Sequence, residues 1–127
     1  MAEQAITTQA AKRKMLLARA GKQELPPISQ MVFGTGGVDP AGEVLKPEEG
    51  QRELKEEVYR KDIEKTEIIS DTKIRYICTL EEDELAGKDI SEIALADTEG
   101  DLIMIKNFRA KGKDSDFLMI FRITDTM

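Results

Sequence analysis

The sequence predicts an α+β fold: an N-terminal helix packed on a small, mostly antiparallel β-sheet, with a long irregular loop in the first half. Three observations carry this. Residues 4–20 are rich in Ala and Leu with a helical apolar stripe. Residues 34–47 are dense in Gly and Pro. From Lys73 to Thr124 the chain reads as strand, turn, strand, strand. A chain of 127 residues is long enough for one self-supporting domain. The expected division is a helix arm over 1–25, a strand and long loop over 26–57, and a β-rich core over 58–127.

The helix at 4–20 has Thr7 or Thr8 as a cap and Gly21 as its stop. Ala11, Met15 and Ala18 share one stripe, with Leu17 beside them. Pro26 and Pro27 force extended geometry, and Ile28–Phe33 follows as a short strand. Leu54 and Val58, four apart, predict one or two helical turns around 50–57. From Val58 the chain becomes extended, and Thr66–Ser70 is a weak strand. Lys73–Leu80 alternates, placing Ile74, Tyr76, Cys78 and Leu80 on one face. Ile90–Asp97 and Asp101–Phe108 form a hairpin around Thr98–Gly100, with Gly100 suited to positive φ. Residues 109–115 read as a polar loop. Asp116–Thr124 is the last strand, with Phe117, Met119, Phe121 and Ile123 on one face.

The strand over 102–108 is apolar on both faces. Strict alternation puts Ile103 and Ile105 on one side and Leu102, Met104 and Phe108 on the other. The helix covers one face; the other is left for a partner subunit or for residues 34–57 folding back. A partner on that face implies an exposed apolar patch on the isolated chain.

Composition excludes several function classes. The net charge of −6 argues against nucleic-acid or anionic-membrane binding. Residues 1–30 carry about +3 and the remainder about −9, which reads first as two solvated faces and otherwise as a pattern that favours head-to-tail contacts. Cys78 is the single cysteine, so the expectation is a buried reduced thiol. No apolar stretch approaches the ~20 residues of a membrane span, and the N-terminus lacks the apolar segment of a secretory signal. Synthesis and folding in a cytoplasm are expected. The Gly34–Gly37 run lacks the Lys-Ser/Thr of a phosphate loop and the third glycine of a dinucleotide motif, since Asp39 stands there. Glu81–Glu84 and Asp114–Asp116 lack the spacing of a calcium loop. There is no histidine, and nothing singles out a carboxylate pair. The reading is therefore not an enzyme, with no cofactor and no metal.

The order of segments is informative. A helix ends in Leu16–Gly21. Met31, Gly34 and Gly36 match "Met-x-x-Gly-x-Gly", and Glu57–Arg60 reads Glu-Val-Tyr-Arg. Ile90–Ile103 matches a hairpin pattern with Glu92, Asp97 and Gly100. Over about residues 8–124 this resembles the N-terminal domain of phage tail-collar fibre proteins, found on contractile phage tails and related bacteriocins. The resemblance implies a structural role, attaching a tail fibre to the baseplate, with the alternative of an adhesin that contacts the host cell directly. It implies baseplate proteins and fibre chains as partners, a homo-oligomer with a trimer favoured, assembly in a bacterial cytoplasm, and a final place on a virion or phage-tail-like particle released by lysis. Family members continue into a shaft and tip, so the sequence ending at Met127 reads as an attachment module on which another chain builds. Expected partner-interface residues are Met15, Leu17, Met31, Phe33, Tyr59, Arg60, Ile103 and Ile105.

Overall fold

The computed structural model describes residues 4–127, as eight strands and one helix. These are β1 (Gln4–Thr7), α1 (Gln9–Arg19), β2 (Ile28–Gly34), β3 (Glu57–Asp62), β4 (Lys65–Ser70), β5 (Lys73–Leu80), β6 (Asp89–Asp97), β7 (Leu102–Gly112) and β8 (Met119–Thr126). A five-stranded sheet has the order β1-β7-β6-β2-β3, and a three-stranded sheet the order β4-β5-β8. Every pairing is antiparallel. The α+β expectation is thus overturned: the chain is mostly β, 49% strand and 9% helix.

The helix is shorter than its alanine content predicts. Gln4–Thr7 instead adds a strand to the free edge of β7, with Ile6 opposite Ile105. β-branched Ile6 and Thr7 suit that pairing. Thr8 ends the strand and caps the helix, its Oγ1 accepting the amide of Ala11 and donating to the carbonyl of Leu102. Ala11 is buried and Leu16 is 64% exposed, so α1 lies along the sheet without forming a layer. The helical turns expected around 50–57 are also absent. Non-helical turns bring Leu54 down as a buried plug, and the chain is a strand by Glu57.

The two sheets face each other. Met31, Phe33, Ile93, Leu95, Met104 and Phe108 from the larger meet Cys78, Leu80, Phe121 and Ile123 from the smaller. Phe33 and Phe121 cross edge to face at 5.3 Å. The far side of the larger sheet is also apolar: Val32, Ala94, Ala96, Leu102 and Ile105 are covered by Leu54 and flanked by Ile6. Covered on both faces, β6 is buried from Ile90 to Asp97.

A β-bulge decides which side chains go where on β7. Leu95 pairs with Met104 and Ala96 with Leu102, leaving Ile103 as the extra residue. Leu102 therefore shares a face with Ile105, while Ile103 packs on the inter-sheet core with Met104 and Phe108. Within residues 102–108 strict alternation fails at this one residue; a second register shift lies further along β7, opposite Ile90–Glu92. The apolar patch expected on one face of β7 is absent, because the 34–57 segment folds back over it. β7 also runs on through Gly112, where the sequence reads as a loop, pairing Lys111 with Ile90. The hairpin agrees with expectation: the amide of Asp97 donates to the carbonyl of Asp101, and Gly100 has φ +88°.

Candidate functional site

A buried polar site lies on the far face of the larger sheet, where β6 meets the loop that follows β2. Glu92 is wholly buried and has no cation beside it among the described residues. Its Oε1 accepts the amide of Lys55 at 3.0 Å, and its Oε2 accepts the amides of Gly36 and Glu56, each at 2.8 Å. Three backbone donors thus do the work usually done by a basic side chain. The neighbouring Ser91 Oγ accepts the amide of Gly37 at 2.8 Å.

This clamp explains the glycines. A Cβ on Gly34 would sit 2.5 Å from Glu92 Oε2, and one on Gly37 would sit 2.0 Å from the Ser91 carbonyl oxygen. The loop approaches β6 so closely that only backbone fits between them. The glycine motif and the hairpin motif, more than fifty residues apart in sequence, are two halves of one joint. Beside it, Asn107 donates to the carbonyl of Leu45, tying down the loop's other limb.

Two further polar clusters fix the outer elements. Lys14 reaches from α1 into the β6–β7 hairpin and contacts Asp97 at 2.6 Å and Glu99 and Asp101 at 2.7 Å. Burial alone would lower its pKa; the hydrogen bonds to these three carboxylates reverse that and push it up. Their spacing would suit a cation, and the Lys14 ammonium supplies one. At the opposite edge, Glu84 accepts from the Tyr59 hydroxyl, the Lys61 ammonium and the amide of Glu81. Burial favours its neutral form, but these donors outweigh it and hold the carboxyl down at about 2. Lys61 also donates to the carbonyl of Thr79, so the cluster ties β3 to the end of β5.

The residues expected at a partner interface do not form one surface. Met31, Phe33 and Ile105 are fully buried in the chain's own core, because both faces of the larger sheet are covered from within. Tyr59 is half-buried against Phe33, with its hydroxyl spent on Glu84. Arg60 makes a two-pronged pair with Glu57. Met15 and Ile103 come together, lining a cleft of about 220 Å³ with Pro26 and Tyr76. Leu17 lines a separate groove of about 710 Å³ between α1 and residues 50–52, with Leu16 on its floor. Sequence reasoning missed Glu92 and Leu16. An acid inside an apolar strand was the available signal for the first; for Leu16, helical spacing placed it off the stripe.

Two facing antiparallel sheets, with a glycine loop clamped onto the larger by backbone hydrogen bonds, define a β-sandwich module. The chain belongs to the phage tail-collar fibre protein, N-terminal, family, which matches residues 1–117. That membership gives it a structural role in a phage tail fibre, association with other tail proteins and a place on the virion. Comparison with curated proteins and with solved structures gives no match. Among the described residues no helix is long and apolar enough to cross a membrane.

Proposed function

We propose that this chain attaches a tail fibre to the baseplate of a contractile phage tail or phage-tail-like particle, as a homo-oligomer with a trimer favoured. The observation that carries this reading is the Glu92 joint. The glycine motif and the hairpin motif of the family resemblance meet there, and what they build is mechanical: a loop locked onto a two-sided sheet. An attachment module must transmit load without its loops deforming, and amides bonded to a buried carboxylate resist that. Assembly takes place in the bacterial cytoplasm, and the finished particle leaves by lysis.

The test is genetic and structural. Deleting the chain from a particle-producing strain should give tails with intact baseplates and no fibres, seen by electron microscopy. A tagged copy should restore fibres and co-purify with baseplate proteins. Fully fibred particles in the deletion strain would overturn the reading. So would an isolated chain that binds host cells while particle assembly proceeds without it, which is the behaviour of an adhesin.

A further inference from the structure

Two exposed surfaces of opposite charge lie towards opposite ends of β7. One is the groove along α1. Leu16, Leu17 and Ala20 form its apolar floor, and Gly50–Arg52 its far wall. Arg13 and Arg52 stand on its rim, and among the described residues neither guanidinium makes an ion pair. Lys12, on the same rim, is already held by Glu49 at 2.9 Å.

The other surface is the loop Asp114–Leu118 between β7 and β8. Phe117 is 43% exposed and Leu118 48% exposed, side by side. Asp114 and Asp116 flank them. Asp114 accepts the amide of Asp116, and neither carboxylate has a cationic partner among the described residues. The loop has a fixed shape, because buried Lys113 donates beneath it to the carbonyls of Glu82 and Asp114. One surface is thus an apolar trough with unpaired cations, and the other an apolar tip with unpaired anions.

They cannot meet within one chain. α1 begins where Thr8 bonds to Leu102, at the start of β7, and the acidic loop begins beyond Gly112, at its end. Ten residues of strand separate these points by roughly 30 Å. We propose that the loop Asp114–Leu118 of one copy docks in the α1 groove of a second copy, with Phe117 and Leu118 over Leu16 and Leu17, and Asp116 against Arg13 and Arg52. The contact is heterologous. Each copy keeps an unused groove or an unused loop, so the contact repeats and closes into a ring where the rotation permits. This deepens the homo-oligomer part of the function above and rests on it, and it makes no use of the baseplate.

The test is the mass of the full chain in solution, by sedimentation or light scattering, at low and high salt. The wild type should assemble, and salt should weaken the assembly. Leu16→Asp and Phe117→Asp each change an exposed side chain, so each should melt like the wild type and yet be monomeric. An equal mixture of these two variants retains one intact groove and one intact loop, and should give a heterodimer and nothing larger. Arg13→Glu and Asp116→Arg should each weaken assembly, and the double variant should recover it. An oligomer indifferent to all four substitutions overturns the assigned surfaces and leaves the oligomer standing. A mixture that stays monomeric, or a wild type that stops at a symmetric dimer, overturns the head-to-tail contact. A monomeric wild type overturns both the contact and the trimer, and leaves baseplate attachment to its own test.

Discussion

Replacing Glu92 by glutamine keeps the shape of the joint and removes one acceptor. The carboxylate takes three backbone amides on two oxygens. Glutamine has one oxygen, so its NH₂ must point at the amide of Lys55 or at those of Gly36 and Glu56, donor against donor. The smaller loss is one hydrogen bond to a charged acceptor plus weakening of the other two. With about 1.5–3 kcal/mol for each such bond, the cost is about 2–3 kcal/mol. At this chain length that lowers the melting temperature by roughly 8–12 °C. Alanine leaves all three amides without their acceptor and should cost more, about 3–5 kcal/mol, less whatever water recovers by entering the space. The assay is thermal unfolding combined with hydrogen exchange at the amides of Gly36, Lys55 and Glu56. All three should exchange faster in Glu92→Gln than in the wild type, and faster still in Glu92→Ala. A glutamine variant that melts within a degree or two of the wild type, with those amides equally protected, would refute the view that this carboxylate locks the loop.

Three other outcomes follow from the same structure. Burial pushes the Cys78 thiol up to about 11, so at pH 8 it should react slowly with a thiol reagent in the folded chain and rapidly in denaturant; rapid native labelling would put β5 out of register. Glu84, held at about 2 against an ordinary 4.5, contributes stability that is full above about pH 4.5 and lost as the pH falls towards 2. That contribution is about 3 kcal/mol, so denaturant melts of the wild type and Glu84→Gln should differ at pH 6 and converge near pH 2; a constant difference would refute it. Ile105→Asp would place an unpaired charge in a fully buried site, and should unfold the chain or cost more than about 4 kcal/mol; a soluble, wild-type-like melt would mean that this side chain faces outward.

What the sequence by itself determined was local. The alternation of Lys73–Leu80 identified β5 and turned Cys78 inward, because period-two burial leaves its mark in a single segment. Gly100 marked its turn because a three-residue loop needs positive φ at that point. The order of motifs carried the family. Tertiary structure decided whatever depended on distant partners. Residues 4–7 carry helix-compatible side chains, but β7 offers them an open edge, and pairing with residues 104–107 outweighs a weak propensity. The bulge at Ile103 exchanged the faces of a strand that reads as regular, and no local pattern announces one extra residue. The second face of the larger sheet, which looked available to a partner, was closed by Leu54 and the clamped loop. Glu92 shows the reason most plainly. In sequence it is one acid in an apolar strand, and its role exists only because folding brings the amides of Gly36, Lys55 and Glu56 to within 3.0 Å of it. Of the three donors only Gly36 leaves a trace in the sequence, because the close approach excludes a side chain there; a backbone amide asks nothing of the side chains of Lys55 and Glu56, so those two could not be located from residue identity.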